Sequence, residues 1–213
     1  TLTIVSWNIH GVQEKLRNPA VLHFLRTYDI IFLNEVHSPE PAHIPGYQCY
    51  QGQGDHMHRG GCAMLIKNHI AKQIARIDTP NTECIFLKLK SLPQITIAAC
   101  YLPPSDSSYH TYAPISEIQD IMDKEPDTQL IILGDLNARF GNNRTIFLED
   151  KGINNGSYSH SPDQITSPNQ NARYIMNILG SNTVLLNGLN CMNKAFETNL
   201  TFKQKKKWIS ELD

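Results

Sequence analysis

Polar residues that could bind a metal ion or a phosphate follow an apolar run near the middle of the chain. Residues 130–133 are apolar and rich in β-branched side chains, and they lead into Gly134, Asp135 and, one residue further on, Asn137. Such a run, bounded by turn residues, predicts a strand buried on both faces. If the backbone stays extended, side chains two residues apart point the same way. The alternative is an Asx turn closing a strand, which the stretch alone does not exclude.

Three other apolar runs also end in a polar residue, namely Asn8, Glu35 and Tyr101. Each has an ordinary explanation, because amides and carboxylates form turns and a tyrosine in a strand usually packs. Four strands that all end this way are harder to dismiss, since ligand sites gather at one end of such sheets. The set therefore predicts a site built from several strand ends.

This set suits the hydrolysis of a phosphodiester. Glu35 is the best candidate ligand for a hard cation such as Mg²⁺, which prefers carboxylate oxygens, water and phosphate. Asp135 could deprotonate an attacking water, and Asn137 could hold that water or a phosphate oxygen. Tyr101 could donate to the phosphate as charge develops. No nucleophilic Ser or Cys motif, P-loop or GxGxxG motif competes with this interpretation.

The elements that must position these residues alternate between strand and helix. The first elements are predicted to be a strand over residues 2–7, a helix over 19–28 and a strand over 29–33. This order predicts two parallel neighbouring strands joined by a right-handed crossover. A loop rich in Pro, His and Gly is expected over 38–60. Strands over 61–67, 70–77, 83–89 and 95–101 are spaced closely enough to pair antiparallel in one sheet.

The second half of the chain has weaker patterns. We expect a helix over residues 115–122 and a long functional loop over 139–171, which is rich in Asn, Gly, Ser and Pro. A short helix over 173–179 and strands over 183–187, 199–202 and 208–213 complete the predicted elements. One layered α/β domain over residues 1–213 fits better than two.

Composition limits the classes of protein that fit. The chain has 213 residues, and its net charge of −1 means that the chain as a whole is not a basic nucleic-acid binder. A local basic patch at residues 203–207 could contact phosphate, although an isolated lysine run is more often a solvated loop. Five scattered cysteines without a CxxC pair favour a reduced, intracellular setting. No apolar run approaches ~18 residues, and no secretory signal opens the sequence.

Five motifs stand in an order that resembles the endonuclease/exonuclease/phosphatase superfamily. They are Trp7-Asn8, Asn34-Glu35, Tyr101-Leu102-Pro103, Gly134-Asp135-Leu136-Asn137 and Ser210-Glu211-Leu212-Asp213. Within that superfamily the sequence is most similar to the endonuclease domain of LINE-type (non-LTR) retrotransposons. The cues for this are Arg59-Gly60-Gly61, Tyr101-Leu102-Pro103-Pro104, Asp135-Leu136-Asn137-Ala138-Arg139 and Leu186-Asn187-Gly188. Pro104 replaces an asparagine of the apurinic-site relatives, which argues against repair of abasic sites.

The resemblance implies an α/β (α+β) four-layer sandwich, in which two mixed β-sheets are flanked by helices. It implies Mg²⁺, with Mn²⁺ as the alternative, near Asn8 and Glu35. Tyr101, Asp135 and Asn137 would contact the scissile phosphate and the attacking water. The expected substrate is double-stranded DNA, with the loops over 38–60 and 139–171 and five basic residues as candidate contacts: Arg59, Arg139, Lys205, Lys206 and Lys207.

Asp213 matches an aspartate that orients a catalytic histidine in the family. That histidine normally follows in a Ser-Asp-His motif, so we expect the chain to be a truncated domain that lacks its final strand and has impaired activity. The parent would be a polyprotein that continues into reverse transcriptase and acts in the nucleus. Two alternatives stay open: a phosphoesterase acting on phosphoinositides, sphingomyelin or RNA, and a decayed fragment that at most binds nucleic acid.

Overall fold

The computed structural model describes residues 2–52, 60–79, 83–90, 95–125, 129–138 and 167–178, together with the backbone of strands 202–204 and 207–210. Contacts between Cα atoms divide the chain into two units. The first comprises Thr1–Leu102 and Thr111–Asp135, and the second comprises Pro103–His110 and Leu136–Asp213. That all 213 residues form one domain stays a prediction.

The first unit begins with a four-stranded mixed sheet. Its strands are β1 (Ile4–Asn8), β2 (Ile30–Asn34), β3 (Tyr47–Gln51) and β4 (Cys62–Lys67), in the order β1-β2-β4-β3. β1 and β2 are parallel, as the sequence predicts, and the remaining pairs are antiparallel. The connection between β1 and β2 contains α1 (Val12–Lys15) and α2 (Pro19–Leu25). Asn18 caps α2 by accepting a hydrogen bond from the backbone N–H of Ala20 at 2.9 Å.

A second four-stranded mixed sheet follows in the same unit. It contains β5 (Ile74–Ile77), β6 (Cys84–Leu89), β7 (Ile95–Tyr101) and β8 (Gln129–Asp135), in chain order. The short helix α3 (Asn68–Ala71) precedes it, and α4 (Ala113–Lys124) forms the crossover between the parallel strands β7 and β8.

The core of this unit lies between the two sheets. Phe32 and Met64 of the first sheet belong to one buried cluster with Leu87 and Ile97 of the second. A separate cluster covers the other face of the first sheet, where Leu25 of α2 and Val12 of α1 pack with its strands. Helix α4 packs against β7 and buries Ile115, Ile118 and Ile121. These helix, sheet, sheet and helix layers confirm the predicted four-layer α/β sandwich.

Several details of the sequence-based prediction are wrong. β8 is not buried on both faces, because Ile131 is 39% exposed on this outer strand of its described sheet. Residues 38–60 contain β3 rather than loop alone, and the predicted strand over 70–77 begins inside α3. β4 pairs with β2 and β3, whereas β5, β6 and β7 pair with each other in the other sheet. The prediction that all four of these strands pair in one sheet is therefore wrong. Strand periodicity does not reveal which of two sheets a strand joins.

The second unit has fewer described elements. Helix α5 (Gln170–Ile178) overlaps the predicted helix over 173–179 and begins three residues earlier. β9 (Phe202–Gln204) and β10 (Lys207–Ser210) form an antiparallel pair, near the strands predicted over 199–202 and 208–213. The strand predicted over 183–187 lies outside the described residues. Within the part of the chain that the structure describes, no helix has the length and apolarity needed to cross a membrane.

Candidate active site

The predicted site residues of the first unit lie at the carboxyl ends of parallel strands. Asn8 ends β1 opposite Asn34 of β2, and Glu35 follows directly. Tyr101 ends β7 opposite Asp135, which ends β8. Both parallel pairs therefore end in polar residues at matching positions.

A hydrogen bond joins the two sheets at this edge. The Asn8 side-chain Nδ2 donates to Asp135 Oδ2 at 2.8 Å, and Asp135 is only 3% exposed. Because a carboxylate can only accept, the amide nitrogen of Asn8 must face Asp135. The side-chain carbonyl oxygen is consequently the atom with which Asn8 can bind a cation or accept a hydrogen bond from water.

Glu35 contacts two histidines that the sequence prediction did not include. Its Oε2 lies 2.9 Å from His10 Nδ1 and 3.9 Å from His37 Nε2. The two imidazole rings are 5.2 Å apart with an interplanar angle of 75°. The Glu35 side chain is 22% exposed, so water and small ligands can reach this cluster.

The backbone at this cluster is unusual. His10, Glu35 and His37 have φ angles of 46°, 50° and 47°, in the left-handed region that non-glycine residues rarely adopt. Hydrogen bonds from Gly11 N to Glu35 O at 2.8 Å and from Val12 N to Val36 O at 3.0 Å continue the pairing of β1 and β2 into these loops. Strained residues of this kind persist where the surrounding structure holds them, and they concentrate at functional sites.

Tyr101 stands among negative charges in the first unit. Burial raises the pKa of its hydroxyl, and the carboxylates of Glu35, Asp135 and Glu83 raise that pKa further. The hydroxyl therefore remains a proton donor at neutral pH. The backbones of the two residues are also joined, because the carbonyl oxygen of Glu83 accepts a hydrogen bond from the backbone N–H of Tyr101 at 2.9 Å.

Gly134 allows β8 to approach β7 closely just before Asp135. Its φ is 137°, and a Cβ atom at this position would lie 1.8 Å from the carbonyl oxygen of Cys100. Only glycine fits there, which explains the glycine that the sequence places before the carboxylate.

Asn137 belongs to the second unit, whereas Tyr101 and Asp135 belong to the first. Its φ of 46° shows that the backbone does not remain extended beyond Asp135, so the condition for two side chains on one face is not met. Its carbonyl oxygen accepts from Asn169 Nδ2 at 2.8 Å. The fully buried Asn171 donates to the carbonyls of Pro103 at 3.0 Å and Leu136 at 3.1 Å.

Some predicted site residues cannot be placed. Arg59, Arg139, Lys205, Lys206 and Asp213 lie outside the described residues. Lys207 begins β10, for which only the backbone is described. Their roles remain those that the resemblance implies.

Sequence reasoning missed His10, His37 and Glu83. The sequence could have indicated the two histidines, because each stands two residues after a predicted metal ligand, Asn8 or Glu35. Nothing in the sequence indicated Glu83, since a glutamate at the start of a strand is ordinary.

The donor set of this edge fits a divalent cation. Glu35 offers a carboxylate, Asn8 an amide oxygen, and His10 and His37 offer imidazole nitrogens close to Glu35 Oε2. Carboxylate and amide oxygens are ligands for hard cations, and imidazole suits transition ions. The residues present can therefore hold a catalytic metal ion.

Residues 5–180 match the Endonuclease/Exonuclease/phosphatase family, and the chain belongs to that family. Members are hydrolytic nucleases and phosphatases, and its nucleases generally use divalent metals. This match confirms the superfamily that the ordered motifs indicated.

Particular relatives include retrotransposon proteins. The chain is 32% identical over 146 residues to a "Probable RNA-directed DNA polymerase from transposon X-element" of Drosophila melanogaster. That match covers 64% of this chain but only 15% of the relative.

The solved structures that share the fold include two endonucleases. One is the endonuclease domain of TRAS1, a telomere-specific non-LTR retrotransposon, with 15% identity, a TM-score of 0.52 and coverage of 84% of this chain and 69% of that one. The other is an AP endonuclease from Archaeoglobus fulgidus, also 15% identical, with a TM-score of 0.51 and coverage of 84% and 70%.

Proposed function

We propose that this chain is a divalent-metal-dependent endonuclease domain that nicks DNA, as part of a non-LTR retrotransposon polyprotein. The observation that carries the proposal is the placement of Asn8, Glu35, Tyr101 and Asp135 at the carboxyl ends of two parallel strand pairs in one unit. The similarity to a transposon polymerase over 146 residues supports the polyprotein origin. We further propose that a reverse transcriptase domain follows and that the protein acts in the nucleus.

Asp135 is the proposed general base. Its buried carboxylate accepts a hydrogen bond from Asn8 at 2.8 Å, and this bond fixes the orientation of the carboxylate. A positioned general base contributes roughly 10²–10⁴-fold to a rate. Asn137 is proposed to hold the attacking water or a phosphate oxygen.

Tyr101 is the proposed donor to the phosphate. Because its pKa is raised by burial and by three carboxylates, it keeps its proton as negative charge develops on the phosphate oxygens. Asp213 is proposed to orient a catalytic histidine, as the family resemblance implies.

Glu35 and Asn8 are the proposed ligands of the metal, with Mg²⁺ as the expected ion. Such an ion, when bound, neutralises charge on the phosphate and orients it. The protein contributes the fixed carboxylate, which the backbone bonds following β1 and β2 hold in place. Arg59, Arg139, Lys205, Lys206 and Lys207 are proposed to contact the DNA backbone.

Nicking of supercoiled plasmid tests this function. The protein should be assayed in a form that continues past Asp213, because the histidine implied by the resemblance would follow that residue. We expect nicked circles with Mg²⁺, no product with a chelator, and loss of product in Glu35→Ala. Glu14→Ala, which removes an exposed carboxylate of α1, is the matched control and should nick normally.

Other outcomes would overturn the proposal. Hydrolysis of a phosphoinositide, sphingomyelin or RNA without nicking of DNA would assign the site to another substrate class of the family. Binding of DNA without nicking, unchanged by Glu35→Ala, would identify a decayed domain that only binds nucleic acid.

A further inference from the structure

His10, Glu35 and His37 form a compact group of nitrogen and oxygen donors. Among the described residues, this is the only group of three or more His, Cys, Asp or Glu side chains whose donor atoms all lie within 4.8 Å of one another. Glu35 Oε2 lies 2.9 Å from His10 Nδ1 and 3.9 Å from His37 Nε2. Such spacing allows one ion to contact all three side chains.

The positions of these side chains are set by the backbone. The three residues adopt left-handed φ angles of 46° to 50°. The Gly11 N to Glu35 O bond connects the loop after β1 to the loop after β2, and Val36 N donates to Gly61 O at 3.1 Å beside β4. A left-handed conformation is unfavourable at a non-glycine residue, and residues held in it concentrate at functional sites.

The accessibility of the group also suits a metal that acts on a substrate. His10 is 81% exposed, while His37 and Glu35 are 19% and 22% exposed. An ion bound there would have protein ligands on one side and open positions on the other. Catalytic metal sites require such open positions, whereas structural sites are closed.

The chemistry of the donors decides which ions fit. Mg²⁺ prefers oxygen ligands and keeps several waters. Two imidazoles and one carboxylate instead favour first-row transition ions, whose affinities for nitrogen-containing sites exceed that of Mg²⁺.

We propose that His10 and His37 join Glu35 as ligands of one divalent transition ion, so that this site binds Mn²⁺, Co²⁺ or Zn²⁺ more tightly than Mg²⁺. This inference rests on the proposed metal-dependent function in one respect, because Glu35 is a proposed metal ligand in both. The competing explanation is that His10 and His37 only hydrogen-bond Glu35 and keep its carboxylate in place.

Binding of metal alone to the full 213-residue chain tests the proposal, without any substrate. Titration with Co²⁺ at fixed pH, followed by visible absorption and calorimetry, gives the dissociation constant, and competition gives those of Zn²⁺, Mn²⁺ and Mg²⁺. We expect His10→Ala and His37→Ala each to weaken Co²⁺ binding about tenfold or more, with Mg²⁺ affected much less. His43→Ala and His69→Ala remove exposed histidines of the same unit and should leave binding unchanged.

A spectroscopic measurement separates ligation from a structural role. Pulsed electron paramagnetic resonance of bound Mn²⁺ should show coupling to imidazole nitrogen, and this coupling should diminish in each alanine variant. Absence of nitrogen coupling in the parent chain would overturn the proposal, as would unchanged Co²⁺ affinity in both variants. If His37→Ala fails to fold by circular dichroism, His37→Gln and the highly exposed His10 position supply the same test.

The outcomes also distinguish this inference from the proposed function. Plasmid nicking with Mg²⁺, but without nitrogen ligation of Mn²⁺, would overturn the histidine site alone. Nitrogen-ligated metal in a protein that nicks no DNA would overturn the proposed function alone.

Discussion

The Asn8 amide donates to the Asp135 carboxylate at 2.8 Å, although 127 residues separate the two in the chain. This bond connects the end of β1 in the first sheet to the end of β8 in the second. Because each residue is the last of a strand with a fixed register, the two sheets determine the direction of the Asp135 carboxylate. Orientation of the proposed base is therefore a property of how the sheets pack.

Replacement of Asn8 should impair catalysis more than folding. Asn8→Ala removes a hydrogen bond to a charged group, worth about 1.5–3 kcal/mol, and we expect the nicking rate to fall roughly 10- to 100-fold. Asn8→Asp should be worse at neutral pH, because two carboxylates at this distance repel each other. Ser6→Ala, on an exposed position of the same strand, is the control. Wild-type rates in Asn8→Ala would show that the bond does not orient the base.

Tyr101→Phe should lower the turnover number with little effect on substrate binding. The hydroxyl donates only as charge develops on the phosphate, so we expect a loss on the order of 10²-fold in kcat. Because its pKa is raised above the ordinary value of 10, the wild-type rate should not decline through loss of this proton below that pH. A pH–rate profile and the alkaline absorbance of tyrosine provide the measurements. An alkaline decline below pH 10 that Tyr101→Phe abolishes would contradict this role.

Prediction from sequence succeeded where the signal was local. All four residues come after apolar runs: Asn8, Tyr101 and Asp135 end their strands in the structure, and Glu35 directly follows β2. The parallel pairing of β1 with β2 followed from the helix between them. These features need only the chain near each residue, together with general rules of strand connection.

Features that depend on packing between distant elements were missed or wrong. The exposure of Ile131 depends on the outer position of β8 in its sheet, which no property of residues 130–133 reveals. The grouping of His10 with Glu35 and His37 depends on the β1–β2 register and on left-handed backbone at three positions. Strained conformations of this kind oppose the local preferences that sequence patterns report.

Gly134→Ala should severely destabilise the first unit. The new Cβ would lie 1.8 Å from the backbone oxygen of Cys100, so β7 and β8 would have to separate beside Tyr101 and Asp135. We expect a loss of more than about 3 kcal/mol in urea unfolding. Gly46→Ala is the control, because its φ of 91° is also positive but no atom lies within 4 Å of its Cβ position. That variant should lose only about 1 kcal/mol, and an equal loss in both would contradict the steric explanation.

Asn171→Ala should loosen the second unit around Asn137. The buried amide donates to the carbonyls of Pro103 and Leu136, and its oxygen lies 2.9 Å from His110 Nε2. Loss of these partners leaves buried polar groups unsatisfied, at a cost of about 1–3 kcal/mol. We expect faster amide hydrogen exchange at Leu136 and Asn137, with no change in Gln170→Ala, an exposed position on the same helix. Unchanged exchange in Asn171→Ala would show that other contacts hold this segment.

Asp29 should make the first unit sensitive to acid. Lys67 Nζ donates to its carboxylate at 2.9 Å, and the backbone N–H of Thr3 donates at 2.9 Å, so the pKa of Asp29 falls from 3.8 to about 2 although burial opposes the change. Because the folded-state pKa lies below the unfolded one, the stabilisation is complete above about pH 4 and is lost as the pH falls towards 2. Solvent screens this pair, so we expect it to stabilise the folded state by roughly 1 kcal/mol at neutral pH.

Asp29→Asn should remove that stabilisation at pH 7, and its urea-unfolding free energy should converge on the wild-type value near pH 2. Asp78→Asn, at an exposed carboxylate, is the control. If the difference between Asp29→Asn and the wild type stayed constant from pH 7 to pH 2, the charge of Asp29 would not be its source.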